Sequence, residues 1–164
     1  MNNRNEKGSS DIKYITLFAL CFLLLGFYSA LITGDTSLYG QLNNPPLSPP
    51  PQTFAIVWSV LYVLIGGVFG AVYSYKGEYE ASDKRDGLVW SALGFLFNLL
   101  WYPLYFGNGQ LLPAAIDIVV ILLLNFVTFK YFYRIKPIFA CLLIPYIIWL
   151  IFALYLNIGV VILN

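Results

Sequence analysis

The sequence predicts an all-α protein, an integral membrane bundle of five transmembrane helices. Three observations carry this prediction. The 164 residues are 60% hydrophobic and 10% charged, with a mean hydropathy of +0.76. A soluble domain has about 25% charged residues, so too few polar groups are present to cover a water-facing surface. Second, five apolar stretches, near 12–33, 53–75, 88–106, 111–133 and 138–163, are long enough to cross about 30 Å of hydrocarbon at about 1.5 Å per residue. Third, five spans sort every basic residue to one face. Arg4, Lys7 and Lys13 precede the first helix. Lys76, Lys84 and Arg85 follow the second, and Lys130, Arg134 and Lys136 follow the fourth. The positive-inside rule then predicts an N-terminus inside and a C-terminus outside.

Each element has its own signal. Residues 1–11 are polar and expected to be flexible, and residues 12–164 form one domain. The first stretch is not expected to be a cleaved leader, because cleavage after Ala30 would place Tyr28 where a small residue is required. The loop 34–52 contains NNPPLSPPPQ, whose prolines fix φ and stiffen the chain. It is expected on the outer face, as a lid over a cavity or as a rigid connector. Gly66 and Gly70 form a GxxxG spacing suited to close helix contact, more within the chain than between copies. Pro113 and Pro137 stand in first-turn positions, where a missing N–H is no loss. Pro145 falls inside the fifth helix, frees the Cys141 carbonyl and predicts a kink.

The inventory excludes several chemistries. There is no His, and the single Met is the first residue. His-ligated zinc, Ser-His-Asp catalysis and His- or Met-ligated haem are therefore out, and no metal site is expected. No Lys/Arg run points to nucleic acid. Cys21 and Cys141 lie in apolar runs and are expected to be small buried hydrophobes rather than a disulfide. No acid–base pair or nucleophile beside a base is visible.

Polar groups inside a bilayer are costly and call for a reason. Asn98, Asp117, Asn125 and Asn157 are the candidates, and Asp117 is the one ionisable acid or base well inside a span. Asp117 and Asn157 are expected to be structural, Asp117 through a partner such as a bond to another helix. Asn98, Trp101 and Tyr105 fall at i, i+3, i+7 on one helix face; Tyr146, Trp149 and Ala153 repeat that spacing, and Trp58 and Tyr62 are i, i+4. Trp58, Asn98, Trp101, Asp117 and Asn157 all lie roughly 8–12 Å below the expected outer ends. Two readings follow from the residues alone. One is an aromatic-lined pocket that orients a flat ligand through Asn and indole N–H groups. The other is an interfacial aromatic belt with interhelical hydrogen bonds.

Three stretches, NPPLSPPPQTFAIVWSVLY, FNLLWYPLYFG and LLIPYIIWLIFALYLN, resemble the TspO/MBR family of tryptophan-rich sensory proteins and mitochondrial translocator proteins (peripheral-type benzodiazepine receptors). They are similar to its KPxWxPPxWxFxxxWxxLY, LNxxWxxxFFG and LLxPYxxWxxFAxxLN blocks. With Asp117 between them, the match runs in order over about 40–157. The resemblance implies a five-helix bundle, often a homodimer, with a cavity closed by the first loop. It implies binding of porphyrins such as protoporphyrin IX, with a role in tetrapyrrole transport, sensing or regulation, and no required cofactor. The implied ligand contacts are Tyr39, Pro49, Trp58, Tyr62, Asn98, Trp101, Tyr105, Trp149 and Ala153, with Tyr146 added from the helix face. A bacterial cell membrane is the expected location.

The chain also departs from the family pattern. Leu38, Leu47 and Gln52 stand where tryptophan is usual, Asn44 stands before the first proline in place of lysine, and Pro113 aligns near a mammalian tryptophan. No Lys or Arg follows Tyr155, so the weak sterol pattern is incomplete. The main expectation is a receptor or carrier for porphyrin. One alternative is a light-dependent porphyrin-degrading enzyme using Trp58 and Trp149; another is an assembly partner for other membrane proteins.

Overall fold

A computed structural model describes residues 2–34 and 37–164, with side chains from Asp11 onward. The helices are α1 (Asn2–Thr33), α2 (Leu38–Gln41), α3 (Pro51–Ser74), α4 (Ala81–Tyr102), α5 (Leu111–Ile135), α6 (Pro137–Cys141) and α7 (Ile144–Leu163), and no strand occurs among the described residues. A π-helical turn, Pro103–Gly107, extends α4. Five segments are long and apolar enough to cross a membrane: Asp11–Thr33, Pro51–Ser74, Ala81–Gly107, Leu111–Ile135 and Pro137–Leu163. The expected flexibility of residues 1–11 concerns side chains that lie mostly outside the described residues.

α1 begins at Asn2 rather than near 12. Two further points differ from the sequence expectation for physical reasons. α4 begins at Ala81 rather than near 88, because its polar first turns are held at the bundle end. Asp83 there pairs with Arg134 at 3.3 Å, and Lys84 donates to the Tyr75 carbonyl at 2.9 Å. The fifth span is broken rather than kinked. Leu143 N–H bonds back to Ala140 O at 2.9 Å, and the ladder resumes with Ile147 N–H to Leu143 O at 3.0 Å. Pro145 has no N–H for the Cys141 carbonyl, so the helix divides into α6 and α7 just before it.

Pro103 has a parallel effect in α4. It offers no N–H to the Leu99 carbonyl, and the Ser29 hydroxyl of α1 donates to that carbonyl at 2.6 Å. A side chain of a neighbouring helix thus satisfies the backbone group that proline frees. Beyond Pro103 the ladder widens, with Asn108 N–H reaching Pro103 O at 3.0 Å.

α1 packs on α3, α3 on α7, α7 on α5, α5 on α4 and α4 on α1, which closes a ring. Gly66 and Gly70 lie against the α1 backbone, where a Cβ would run into the carbonyls of Phe18 and Tyr14. The GxxxG pair therefore serves internal packing. Gly87 and Gly94 do the same for α4 against Phe132 and Asn125 of α5. Between the helices lie Phe22 and Phe95, stacked at 3.9 Å, with Val72, Ile121, Phe132 and Leu150. Leu24, Leu31, Ile56, Leu123 and Ile148 point outward and make an apolar outer surface. Cys21 and Cys141 are on that surface, not buried as expected. Both are small and apolar enough to face hydrocarbon, so composition alone does not separate the two positions.

A cavity beneath the proline loop

The segment between α1 and α3 is tied to the far end of α7. The Asn43 N–H donates to Asn164 Oδ1 at 3.0 Å, and Asn164 Nδ2 donates to the Asn43 carbonyl at 3.1 Å. The Tyr155 hydroxyl donates to the Pro46 carbonyl at 2.9 Å. Pro45 is buried against Gly159, where a Cβ would come 2.6 Å from its ring. Within the loop, Tyr39 donates to the Pro49 carbonyl at 2.9 Å, and Asn44 donates to the Tyr39 carbonyl at 3.0 Å. Burial pushes the Tyr39 phenol above its ordinary value, and the nearby Ser48 hydroxyl offsets part of this. Leu47 sits at the turn tip with φ 66°, a left-handed conformation that glycine usually fills.

Under this loop lies a cavity of about 570 Å³. Tyr39, Gly40, Asn44 and Ser48 of the loop form one wall. Trp58 and Tyr62 of α3, Asn98 and Trp101 of α4, Tyr105 of the π turn and Ala153 of α7 line part of the remainder. The rings are paired: Trp101 stacks on Tyr105 at 5.0 Å, and Trp58 leans on Tyr62 at 5.5 Å. No Asp, Glu, Lys or Arg lines it among the described residues. The space therefore suits a flat, largely apolar molecule touched by a few polar groups.

Three expected contact residues stand behind the lining. Pro49 holds Tyr39 through its carbonyl. Tyr146 is 1% exposed and sits at the floor. Trp149 backs Trp58, edge to face, with centroids 6.3 Å apart, and packs on Phe54. Asn98 is a junction as well as a wall residue. Its Oδ1 accepts from Tyr62 at 2.8 Å and its Nδ2 donates to Tyr146 at 3.0 Å, joining α3, α4 and α7. One amide hydrogen and one lone pair of Asn98 remain for another partner.

The other buried amide and carboxyl groups differ from one another. Asn125 donates to Ile121 O at 2.8 Å within its own helix, and its side chain also meets the Tyr146 hydroxyl of α7. Asp117 is 5% exposed and its Oδ2 has no partner; Asn157 is 3% exposed and neither side-chain polar atom has one. A bond to another helix, expected of Asp117, is absent at Oδ2. Asn157 instead lines the cavity.

Sequence reasoning missed the α1 wall, formed by Gly26, Phe27 and Ala30, and the α3 positions Phe54, Ala55 and Ser59. Ala55 and Ser59 complete the i, i+3, i+4, i+7 set with Trp58 and Tyr62, so the helical period could have found them. The signal for α1 is a small-residue pair, Gly26 and Ala30, opposite an aromatic ring. A Cβ at Gly26 would overlap the ring of Tyr62.

A profile of the TspO/MBR family matches residues 17–163. The chain belongs to the TspO/MBR family. It is 30% identical over 157 residues to the tryptophan-rich protein TspO of Chlorobaculum tepidum, covering 93% of this chain and 98% of that protein. The Rhodobacter capsulatus protein CrtK is 30% identical over 148 residues, with 89% and 91% covered. The Bos taurus translocator protein is 32% identical over 145 residues, with 85% and 83% covered. As a TspO/MBR member with five apolar spans, it is an integral, multi-pass membrane protein.

Proposed function

We propose that this TspO/MBR protein is a membrane receptor or carrier that holds a porphyrin-type tetrapyrrole, such as protoporphyrin IX, in the cavity beneath the proline loop. The observation that carries the reading is a roomy, uncharged cavity faced by Trp58, Tyr62, Trp101 and Tyr105, with Asn98 and Asn44 among its polar points. Aromatic faces stack on a planar macrocycle, and burial of its apolar surface supplies affinity. The loop is stiff and already tied to α7, so little order is lost when a ligand arrives. The name of one relative, translocator protein, agrees with a role in moving a ligand. We place the N-terminus and the Lys/Arg-rich end inside a bacterial cell membrane, with the loop and C-terminus outside, on the charge sorting alone.

The test is quenching of tryptophan fluorescence by protoporphyrin IX in detergent. The expected result is saturable quenching that weakens in Trp58→Leu. Linear quenching, equal in both proteins, would overturn the proposal. A second reading, photo-oxidative breakdown of the porphyrin by dioxygen, is favoured by the Trp58–Trp149 contact, which places a second indole directly behind the one in the wall. Illumination would then bleach the bound porphyrin faster than the free one, and Trp149→Phe would remove the difference. Equal bleaching rates discard that reading.

A further inference from the structure

The seam between α1 and α3 is closed toward the basic end and open toward the loop. One stripe of α3, Gly70, Gly66, Tyr62, Ser59 and Ala55, runs along it at helical spacing. The first three members touch α1. A Cβ at Gly70 would meet the Tyr14 carbonyl, one at Gly66 would meet the Phe18 carbonyl, and the Tyr62 ring lies against Gly26. This antiparallel pairing places Ser59 and Ala55 next, opposite Phe27 and Ala30 of α1. There contact gives way to space, and all four residues line the cavity. Phe27 is 47% exposed and Ala55 is exposed as well, whereas Gly66 and Gly70 of the same seam are buried.

The opening lies within the apolar spans. Phe27 is six residues inside the end of α1 and Ala55 four residues inside the start of α3, roughly 9 and 6 Å along the helices. The surface around it is apolar, with Leu31, Ile56 and Val60 exposed. The Ser59 hydroxyl donates to the Ala55 carbonyl of its own helix at 2.6 Å, so it leaves no unmet donor at the rim. Other sides of the cavity are fastened. The Asn43–Asn164 and Tyr155–Pro46 bonds hold the loop to α7, and the Ser29 hydroxyl holds α1 to the Leu99 carbonyl of α4. An apolar opening at this depth faces lipid chains rather than water.

We propose that the gap between α1 and α3 is a lateral portal, through which an apolar ligand passes between the cavity and the lipid leaflet on the loop side while the loop stays clasped to α7. The proposal rests on the tetrapyrrole reading above for the ligand, and it adds the source: a molecule dissolved in the bilayer. The rim carries no charge, so ionised groups of such a ligand stay at headgroup level while its apolar ring enters.

The test sets a plugged seam against a locked loop. Protein in phosphatidylcholine vesicles is mixed with protoporphyrin IX, and tryptophan quenching gives both the rate of approach to equilibrium and the final affinity. Ala55→Phe puts a ring across the gap. It should slow the approach at least about tenfold and leave the affinity within about threefold, because a barrier alters both rates alike. Asn43→Cys with Asn164→Cys, in a Cys21→Ser, Cys141→Ser background, should lock the loop on oxidation and leave the rate within about twofold of the reduced protein. A rate that collapses on oxidation, or an Ala55→Phe protein that is as fast as the wild type, would overturn the portal. So would a loss of affinity in Ala55→Phe with no slower approach, which would mark Ala55 as a wall contact only. Ala30→Phe replaces Ala55→Phe if the latter does not fold. Absence of saturable quenching in the wild type refutes the tetrapyrrole reading instead. The portal is then read with an apolar aryl diazirine dissolved in the vesicles. Its photolabelling of Tyr62 should fall in Ala55→Phe and persist in the locked loop; the reverse pattern would overturn the portal.

Discussion

Asn98→Leu tests the junction at the cavity floor. The substitution removes the acceptor of the Tyr62 hydroxyl, 2.8 Å away, and the donor to the Tyr146 hydroxyl, 3.0 Å away. Tyr146 is 1% exposed, so its hydroxyl has no route to water or lipid headgroups. Hydrogen bonds between membrane helices are worth about 0.6 kcal/mol each, and at most about 1.7. Two of them give an expected loss of about 1–3 kcal/mol. Leucine keeps the branched outline of asparagine but is bulkier, and a bilayer gives little hydrophobic gain to offset the loss. The assay is reversible unfolding of purified protein in mixed detergent with rising SDS. Tyr146→Phe removes one of the two bonds and should cost about 1 kcal/mol. The variants share that bond, so the double variant should cost less than the sum of the singles, by about 0.5–1.5 kcal/mol. Unchanged stability in Asn98→Leu, or strict additivity, would refute Asn98 as the joint of three helices.

Three further outcomes follow from the packing. Ser29→Ala strands the Leu99 carbonyl that Pro103 leaves free and should cost about 1–2 kcal/mol. Adding Pro103→Ala supplies a backbone N–H for that carbonyl and should recover part of the loss in the same SDS titration. Gly70→Val drives a side chain into the α1 backbone and should cost about 1–3 kcal/mol or more, seen as a lower melting temperature. Leu47→Gly relieves the positive φ at the loop tip and should stabilise the loop by up to about 1 kcal/mol, seen as slower amide exchange over residues 42–49.

Much of the fold was legible because the bilayer allows few solutions. Five apolar runs with all Lys and Arg near alternate connections leave little choice of topology. The structure agrees at both ends: Asp83–Arg134 joins α4 to α5 at the basic end, and the Asn43–Asn164 bonds join the loop to the C-terminus at the other. The cavity was legible where aromatic and amide residues repeat at helical spacing, as in Asn98, Trp101 and Tyr105. It was not legible on α1, where the wall is Gly26, Phe27 and Ala30, two small residues and one ring among many apolar neighbours. Residue type also failed to separate a lining position from the one behind it. Trp58 and Trp149 are both indoles in the α3–α7 seam, yet only Trp58 faces the space. The partner state of a buried amide was equally hidden: Asn98 and Asn157 read alike in sequence, yet one is satisfied across helices and the other finds no partner.

The central claim is that the ligand occupies the cavity under the loop. Ala153→Phe tests it most directly, because Ala153 lines that space and a phenyl ring there fills part of it. Protoporphyrin IX is titrated against the wild type and this variant, with the melting temperature of each recorded. The account predicts that the variant keeps its melting temperature and loses saturable binding by at least about tenfold, a difference of about 1.4 kcal/mol. Equal affinity in the two proteins would contradict it and place the porphyrin elsewhere on the bundle.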